Sequence, residues 1–352
     1  MTETSLTSDS DGKVEDFLER ERSVFVLMLK EIRKIVGDQP FADFFRDNTM
    51  SDDIAARFLE VKPGYVAESL QRRVSDPKQR AAIADATLRL LPTSDVFRSP
   101  TSPDHARLKE TGFLPLPCLL EPDEFTALVN DFRSREQFFM QGTMQKLLVS
   151  DIIASTHALK LATHKRLLFT AGEFLGCAPT IVNMEAWWSP ASGIEHEPEQ
   201  FHRDKDDFRA CKFFMYLTDV AAEDGPHMYA QRTHDPDFVA QLLAEKGHAP
   251  ETIDSIFYMG AGGRLSVKEN IELFTPQTIE VHGPAGTSFM TNSYGLHRGR
   301  PPQRGRRGMF AITYARTPFP DRIKRFADVR LEALPADCVD NPLTRHATRL
   351  LF

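Results

Sequence analysis

Two histidines and one aspartate restrict what this 352-residue chain can fold into. His202 and Asp204 stand two apart in Gln200-Phe-His-Arg-Asp-Lys, and His297 follows about ninety residues later in Tyr294-Gly-Leu-His-Arg-Gly. Alternate residues of a strand point to one side, so an extended segment turns His202 and Asp204 inward together and Arg203 away. His297 must then arrive from a distant strand. Two imidazoles and one carboxylate suit one face of an octahedral iron(II) and leave its other positions open. An H-x-D pair is common by chance, so its surroundings have to carry the weight.

Those surroundings are rich in strand signals. Cys211-Lys-Phe-Phe-Met-Tyr-Leu-Thr-Asp-Val220 is a β-rich run that ends in a turn at Glu223-Asp-Gly-Pro226, with a further short strand up to His234. Gly283-Pro-Ala-Gly286 turns into Thr287-Ser-Phe-Met-Thr291, and Arg307-Gly-Met-Phe-Ala-Ile-Thr-Tyr-Ala315 forms another strand downstream. Before the H-x-D pair, Ile181-Val-Asn-Met-Glu-Ala-Trp-Trp188 reads as a strand with Asn183, Glu185 and Trp187 on one face. If that face lines a cavity, Asn183 and Trp187 are candidates for cosubstrate or substrate contacts, with ordinary wall packing as the alternative.

In order and separation, these stretches from about Leu108 to Ala315 resemble the phytanoyl-CoA dioxygenase family of iron(II)- and 2-oxoglutarate-dependent oxygenases. Leu108-Lys-Glu-Thr-Gly-Phe-Leu-Pro-Leu-Pro-Cys-Leu-Leu-Glu-Pro-Asp-Glu-Phe is similar to that family's entry strand and helix. The resemblance implies an α+β fold: a double-stranded β-helix (a jelly-roll, cupin-like barrel) at 103–318, backed by helices. A helical extension at 1–102 and a tail at 319–352 flank it. It implies His202, Asp204 and His297 as iron ligands, 2-oxoglutarate and O2 as cosubstrates, and Arg307 as partner of the distal carboxylate of 2-oxoglutarate. The planar guanidinium fork of arginine suits a carboxylate. Arg306 competes for the role, but alternation lets only one of the two point inward, and alignment on Tyr314-Ala315 favours Arg307. Gly299 departs from the pattern, since some members carry a small hydroxyl residue there, so part of the cosubstrate's binding must come from elsewhere. Related halogenases have a small residue in place of Asp204; its presence here favours hydroxylation, or another oxidation that follows hydrogen abstraction, over halogenation. The resemblance implies a small or medium-sized metabolite as substrate, with release of succinate and CO2.

Composition agrees with a globular enzyme of this kind. Hydrophobic residues make up 41% and charged residues 26%, which argues against wholesale disorder. A net charge of −7 gives no basic footprint for nucleic acid. The local run of Arg298, Arg300, Arg304, Arg306 and Arg307 lies beside the proposed centre, where it suits an anionic small molecule. The start of the chain lacks the regions of a signal peptide, and no apolar stretch reaches the ~18 residues of a membrane span. Cys118, Cys177, Cys211 and Cys338 form no C-x-x-C pair and read as free thiols of a cytoplasmic protein.

Apolar residues recur at helical spacing over 14–36, with Gly37 as a stop, and again over 52–59 and 77–91; they read as a packing layer for the barrel, or as a surface for a protein partner. Arg98-Ser-Pro-Thr-Ser-Pro103 has the chemistry of a linker, while Glu121 to Arg135 and Ser150 to Leu175 read as helices backing a sheet. Residues 235–270 form a long insertion that could serve as a lid; Gly260-Ala-Gly-Gly263 within it lacks the spacing and lysine of a phosphate loop. His234 suits a turn-closing hydrogen bond, and His227 and His282 have no role in these patterns. A competing set, His196 and Glu197 with His202 and His297, would make a cupin-like hydrolase or isomerase without 2-oxoglutarate. A noncatalytic barrel that binds a protein through its N-terminal helices is a third possibility.

Overall fold

A computed structural model describes residues 23–24, 27–37, 74, 76–91, 95–135, 138–141, 143–192, 200–249, 251, 264–316 and 341–351. The expected helix at 52–59, the glycine cluster at 260–263, His196, Glu197, Cys338 and most of the tail lie outside them. In chain order the strands are β1 (Phe113–Leu116), β2 (Phe138–Gln141), β3 (Met144–Leu147), β4 (Thr180–Pro190), β5 (Phe201–His202) and β6 (Ala210–Tyr216). They continue with β7 (His227–Ala230), β8 (Arg264–Leu265), β9 (Thr278–Val281), β10 (Ser288–Asn292), β11 (His297–Gly299) and β12 (Arg306–Ala315). Antiparallel pairing arranges them in a seven-stranded sheet, β1-β10-β6-β12-β4-β3-β2, and a five-stranded sheet, β8-β5-β11-β7-β9.

Period-two alternation sorts the side chains of the larger sheet. On β6, Cys211, Phe213 and Met215 join the core beneath the helices, while Phe214 and Tyr216 turn to the other face. On β12, Phe310, Ile312 and Tyr314 face the helices and Met309 and Ala311 do not. Between the sheets, Phe214, Tyr216, Phe289, Met309 and Ala311 pack with Tyr229 of β7 and with Ile279 and Val281 of β9. The larger sheet thus has an apolar outer face for helices and an inner face turned to the smaller sheet.

Helices Pro122–Ser134, Thr156–Ala162 and Lys165–Leu175 supply the covering layer through Leu128, Phe132, Leu159, Leu161, Leu167, Leu168 and Phe174. The single helix expected over 150–175 is broken into three. Ser155 accepts from the Ala158 N–H and His164 from the Arg166 N–H, so each begins a new helix by satisfying donors that a continuing helix would have used. Upstream, residues 27–36 are helical and end at Gly37, in the left-handed region at φ +70° as expected. Helix Pro77–Leu88 starts on an Asp76 cap and ends three residues short of the expected limit. Its Arg80 donates to the carbonyls of Val74 and Asp207, and its guanidinium lies between the Phe208 and Tyr294 rings.

The described ends of the 235–270 insertion back the smaller sheet. Val239 and Leu243 of helix Pro236–Glu245, with Leu273 and Phe274 of helix Val267–Phe274, cover Phe201, Ala230 and Leu296 on the outside of the smaller sheet. The apolar face of each helix requires a partner, and the outer face of that sheet provides it.

Candidate metal centre

His202 ends β5 and pairs directly with His297 of β11. The chain stays extended after β5, and the Asp204 N–H donates to the Ser293 carbonyl at 2.9 Å, which returns Asp204 to the side of His202. Arg203 turns away, as alternation requires, and donates to the carbonyls of Thr233 and Tyr294. Both rings are held from behind: His202 Nδ1 meets the Gln200 carbonyl at 2.8 Å, and His297 Nδ1 meets the Gly295 carbonyl at 2.9 Å. A hydrogen bond at Nδ1 fixes the tautomer and leaves Nε2 as the ligating nitrogen.

The two Nε2 atoms converge on one carboxylate, His202 at 3.6 Å from Asp204 Oδ1 and His297 at 3.2 Å from Oδ2. One donor atom from each of the three residues lies within 4.8 Å of the others. Bonds of about 2.1 Å, as zinc and magnesium make, place neighbouring donors of an octahedron about 3 Å apart. Two imidazole nitrogens and a carboxylate at these separations fit a divalent ion on one side and leave its other side to the cavity.

Behind Asp204 is a lysine that the sequence reading passed over. Lys212 of β6, only 8% exposed, places Nζ 2.5 Å from Asp204 Oδ2 and 2.9 Å from Asp206 Oδ2. Burial alone would raise the Asp204 carboxyl, but the Lys212 ammonium, then His297 and His202, hold it well below the usual carboxylate range. Burial likewise works against the Lys212 ammonium, and Asp204, Asp206 and Glu185 reverse that and keep it charged. The signal was legible in principle, since a lysine in the apolar run Cys211-Lys-Phe-Phe-Met must find a carboxylate if its face is buried.

A cavity of about 340 Å³ opens from this centre, within the range of small-molecule sites. Lys146, Glu185, Trp187, His227, Gly299 and Arg307 are among its lining residues, together with His202, Asp204 and His297. Trp187 carries an indole N–H that is buried without a hydrogen-bond partner among the described residues. Lys146 pairs with Glu185 at 2.6 Å and lies over the Trp187 ring. Asn183, four residues back on the same face of β4, pairs with Thr313 of β12 and does not line the cavity.

Arg307 is 2% exposed and enters the cavity wall, where Nη1 donates to the carbonyls of Gly225 and Arg300 and Nη2 to Ser189 Oγ. Arg306 faces the other way, bonded to Gln145 and stacked on Trp188. The other basic residues of that run are committed elsewhere: Arg298 lies over Phe201, Arg300 pairs with Glu280, and Arg304 with Glu223 and Asp224. Of the five arginines, Arg307 is therefore the one at the cavity. His234 Nε2 bonds the Lys109 carbonyl, consistent with a closing role. A wider cleft of about 900 Å³, lined by Lys160, Arg166 and Phe169 among others, gathers no comparable donor set among the described residues.

No protein-family model matches this chain, and no curated protein matches it in sequence. Solved structures do overlap it in part. SnoN, a non-heme alpha ketoglutarate dependent epimerase from nogalamycin biosynthesis, superposes with a TM-score of 0.43 at 18% identity, covering 60% of this chain and 80% of its own. HygX from Streptomyces hygroscopicus, with nickel and 2-oxoglutarate bound, gives 0.41 at 18% identity over 62% and 88%. ThoJ, a non-heme monooxygenase, gives 0.40 at 16% identity over 60% and 77%. These overlaps are partial, and the chemistry of the centre follows from its own side chains. Among the described residues no helix is long and apolar enough to cross a membrane.

Proposed function

We propose that this chain is an iron(II)- and 2-oxoglutarate-dependent oxygenase of the phytanoyl-CoA dioxygenase kind, hydroxylating a small or medium-sized metabolite. The observation that carries the reading is the convergence of His202 Nε2, His297 Nε2 and the Asp204 carboxylate at one end of a cavity whose wall holds the buried Arg307. On this reading the two sheets are the halves of a double-stranded β-helix at 103–318, with 1–102 as a helical extension and 319–352 as a tail. When bound, iron with 2-oxoglutarate and O2 would supply the oxidising chemistry, with succinate and CO2 as the co-products.

The chain's own residues supply binding and orientation. His202, Asp204 and His297 would hold the metal, and the cavity beside them would leave room for the cosubstrate. Gln200 and Gly295 fix the imidazoles through their carbonyls, and Lys212 holds the carboxylate. Arg307, whose guanidinium is braced by two carbonyls, receives the distal carboxylate of 2-oxoglutarate. Trp187 offers its unpartnered N–H to cosubstrate or substrate. A carboxylate at position 204 would take the place a halide needs, which favours hydroxylation, or another oxidation that follows hydrogen abstraction, over halogenation.

The reading is tested by following iron-dependent succinate formation from 2-oxoglutarate in the wild type, in His202→Ala and in Arg307→Ala. Loss of metal binding is expected for His202→Ala; weakened 2-oxoglutarate binding with metal binding nearly intact is expected for Arg307→Ala. Metal-dependent turnover that needs no 2-oxoglutarate would replace the proposal with hydrolase or isomerase chemistry.

A further inference from the structure

Gly299 lines the cavity without a side chain, and the residue paired opposite it carries an imidazole. β11 and β7 pair antiparallel with Gly299 directly facing His227. Directly opposed residues send their side chains to the same face with Cβ atoms about 5 Å apart. A Cβ built on Gly299 would lie 2.8 Å from Arg307 Nη2. The Arg307 guanidinium thus fills the space a side chain at 299 would take, and the His227 ring stands across the strand pair from it.

The imidazole of His227 is otherwise unexplained. It is 3% exposed, lines the cavity, and its Nε2 has no hydrogen-bond partner among the described residues. The ring is held by Phe214 at 4.9 Å, Phe289 at 5.0 Å and His297 at 5.6 Å between centroids. Burying a polar nitrogen without a partner is costly, and such groups call for an explanation. An apolar residue would fill this position among aromatic rings at no such cost.

We propose that His227 is a cosubstrate-binding residue whose Nε2–H donates to the distal carboxylate of 2-oxoglutarate beside Arg307, in place of the hydroxyl that Gly299 lacks. This rests on the reading of Arg307 given above. Two donors of different geometry, a guanidinium from β12 of the larger sheet and an imidazole from β7 of the smaller one, then clasp one carboxylate. The stacking partners fix the ring plane, so the donor is set before the ligand arrives.

The test is isothermal titration calorimetry on the manganese(II)-loaded protein with two probes: 2-oxoglutarate, and 2-oxopentanoate, which has a methyl group where the distal carboxylate would be. His227→Leu removes the donor and keeps an apolar side chain; His227→Gln restores an N–H near the position of Nε2. The expected result is an affinity for 2-oxoglutarate about 10- to 100-fold weaker in His227→Leu, the range for a hydrogen bond to a charged group. The same variant leaves 2-oxopentanoate binding unchanged, and His227→Gln regains most of the loss. Unchanged 2-oxoglutarate affinity in His227→Leu, or an equal loss for both probes, overturns the inference and leaves the proposed function standing. A wild-type protein that binds manganese(II) but not 2-oxoglutarate overturns the function and the inference with it.

Discussion

Lys212 shows how one buried cation governs the electrostatics of the centre. With its ammonium in place, Asp204 and Asp206 are both answered; without it, two carboxylates share a buried site with no fixed cation between them. Breaking a buried pair by removing one partner typically costs about 3–5 kcal/mol. Lys212→Met is therefore expected to lower the stability of the metal-free protein by roughly that amount. Added manganese(II) should restore part of it, because the ion supplies positive charge to the same carboxylate. Urea unfolding with and without the metal checks this; a variant as stable as the wild type without metal would show that the lysine is not needed to balance Asp204. His202, Asp204, His297 and Arg307 were all legible as candidates from residue type and spacing. Lys212 was legible only as a charge in an apolar run, without its partner, and His227 not at all, because their significance lies in residues that are remote in the chain.

At the scale of elements, the strands were legible and the helix breaks were not. Strand signals placed β4, β6, β10 and β12, and alternation required that only one of Arg306 and Arg307 face the cavity. Ser155 and His164 interrupt an apolar pattern that reads as one helix, and their capping hydrogen bonds depend on where the neighbouring chain packs. The C-terminal helix Pro342–Thr348 carries a testable pH response. Burial, with Arg349 beside it, pushes the His346 imidazole from 6.5 down to about 3. Between those values the unfolded chain takes up a proton that the folded chain excludes, so this contribution to stability is complete above pH 6.5 and is lost as pH falls toward 3. His346→Gln should therefore lose less stability than the wild type between pH 7.5 and pH 4.5. Equal losses in denaturant titrations at the two pH values would remove His346 as a source of acid sensitivity.

Across the whole molecule, the inner face of the larger sheet supplies Lys212 and Arg307, while the smaller sheet and its loop supply His202, Asp204, His227 and His297. The three proposed ligands converge only when β5 and β11 are paired and the loop after β5 is in place, so an ion bound there stabilises that folded arrangement. A ligand at a hundred times its dissociation constant adds about 2.7 kcal/mol to a fold it binds selectively. Manganese(II) is accordingly expected to raise the melting temperature of the wild type and to leave that of Asp204→Ala nearly unchanged. An equal rise in both would place the ion elsewhere.

The sequence by itself determined the donor types, the two-residue spacing that turns His202 and Asp204 one way, and the rule that only one of Arg306 and Arg307 can point inward. These depend on covalent order and strand period, which are local properties. Tertiary structure decided that His297 lies opposite His202, that Lys212 stands behind Asp204, and that His227 occupies the position across from Gly299. Strand register and sheet facing set those relations, and both are fixed by packing between segments that lie far apart in the chain.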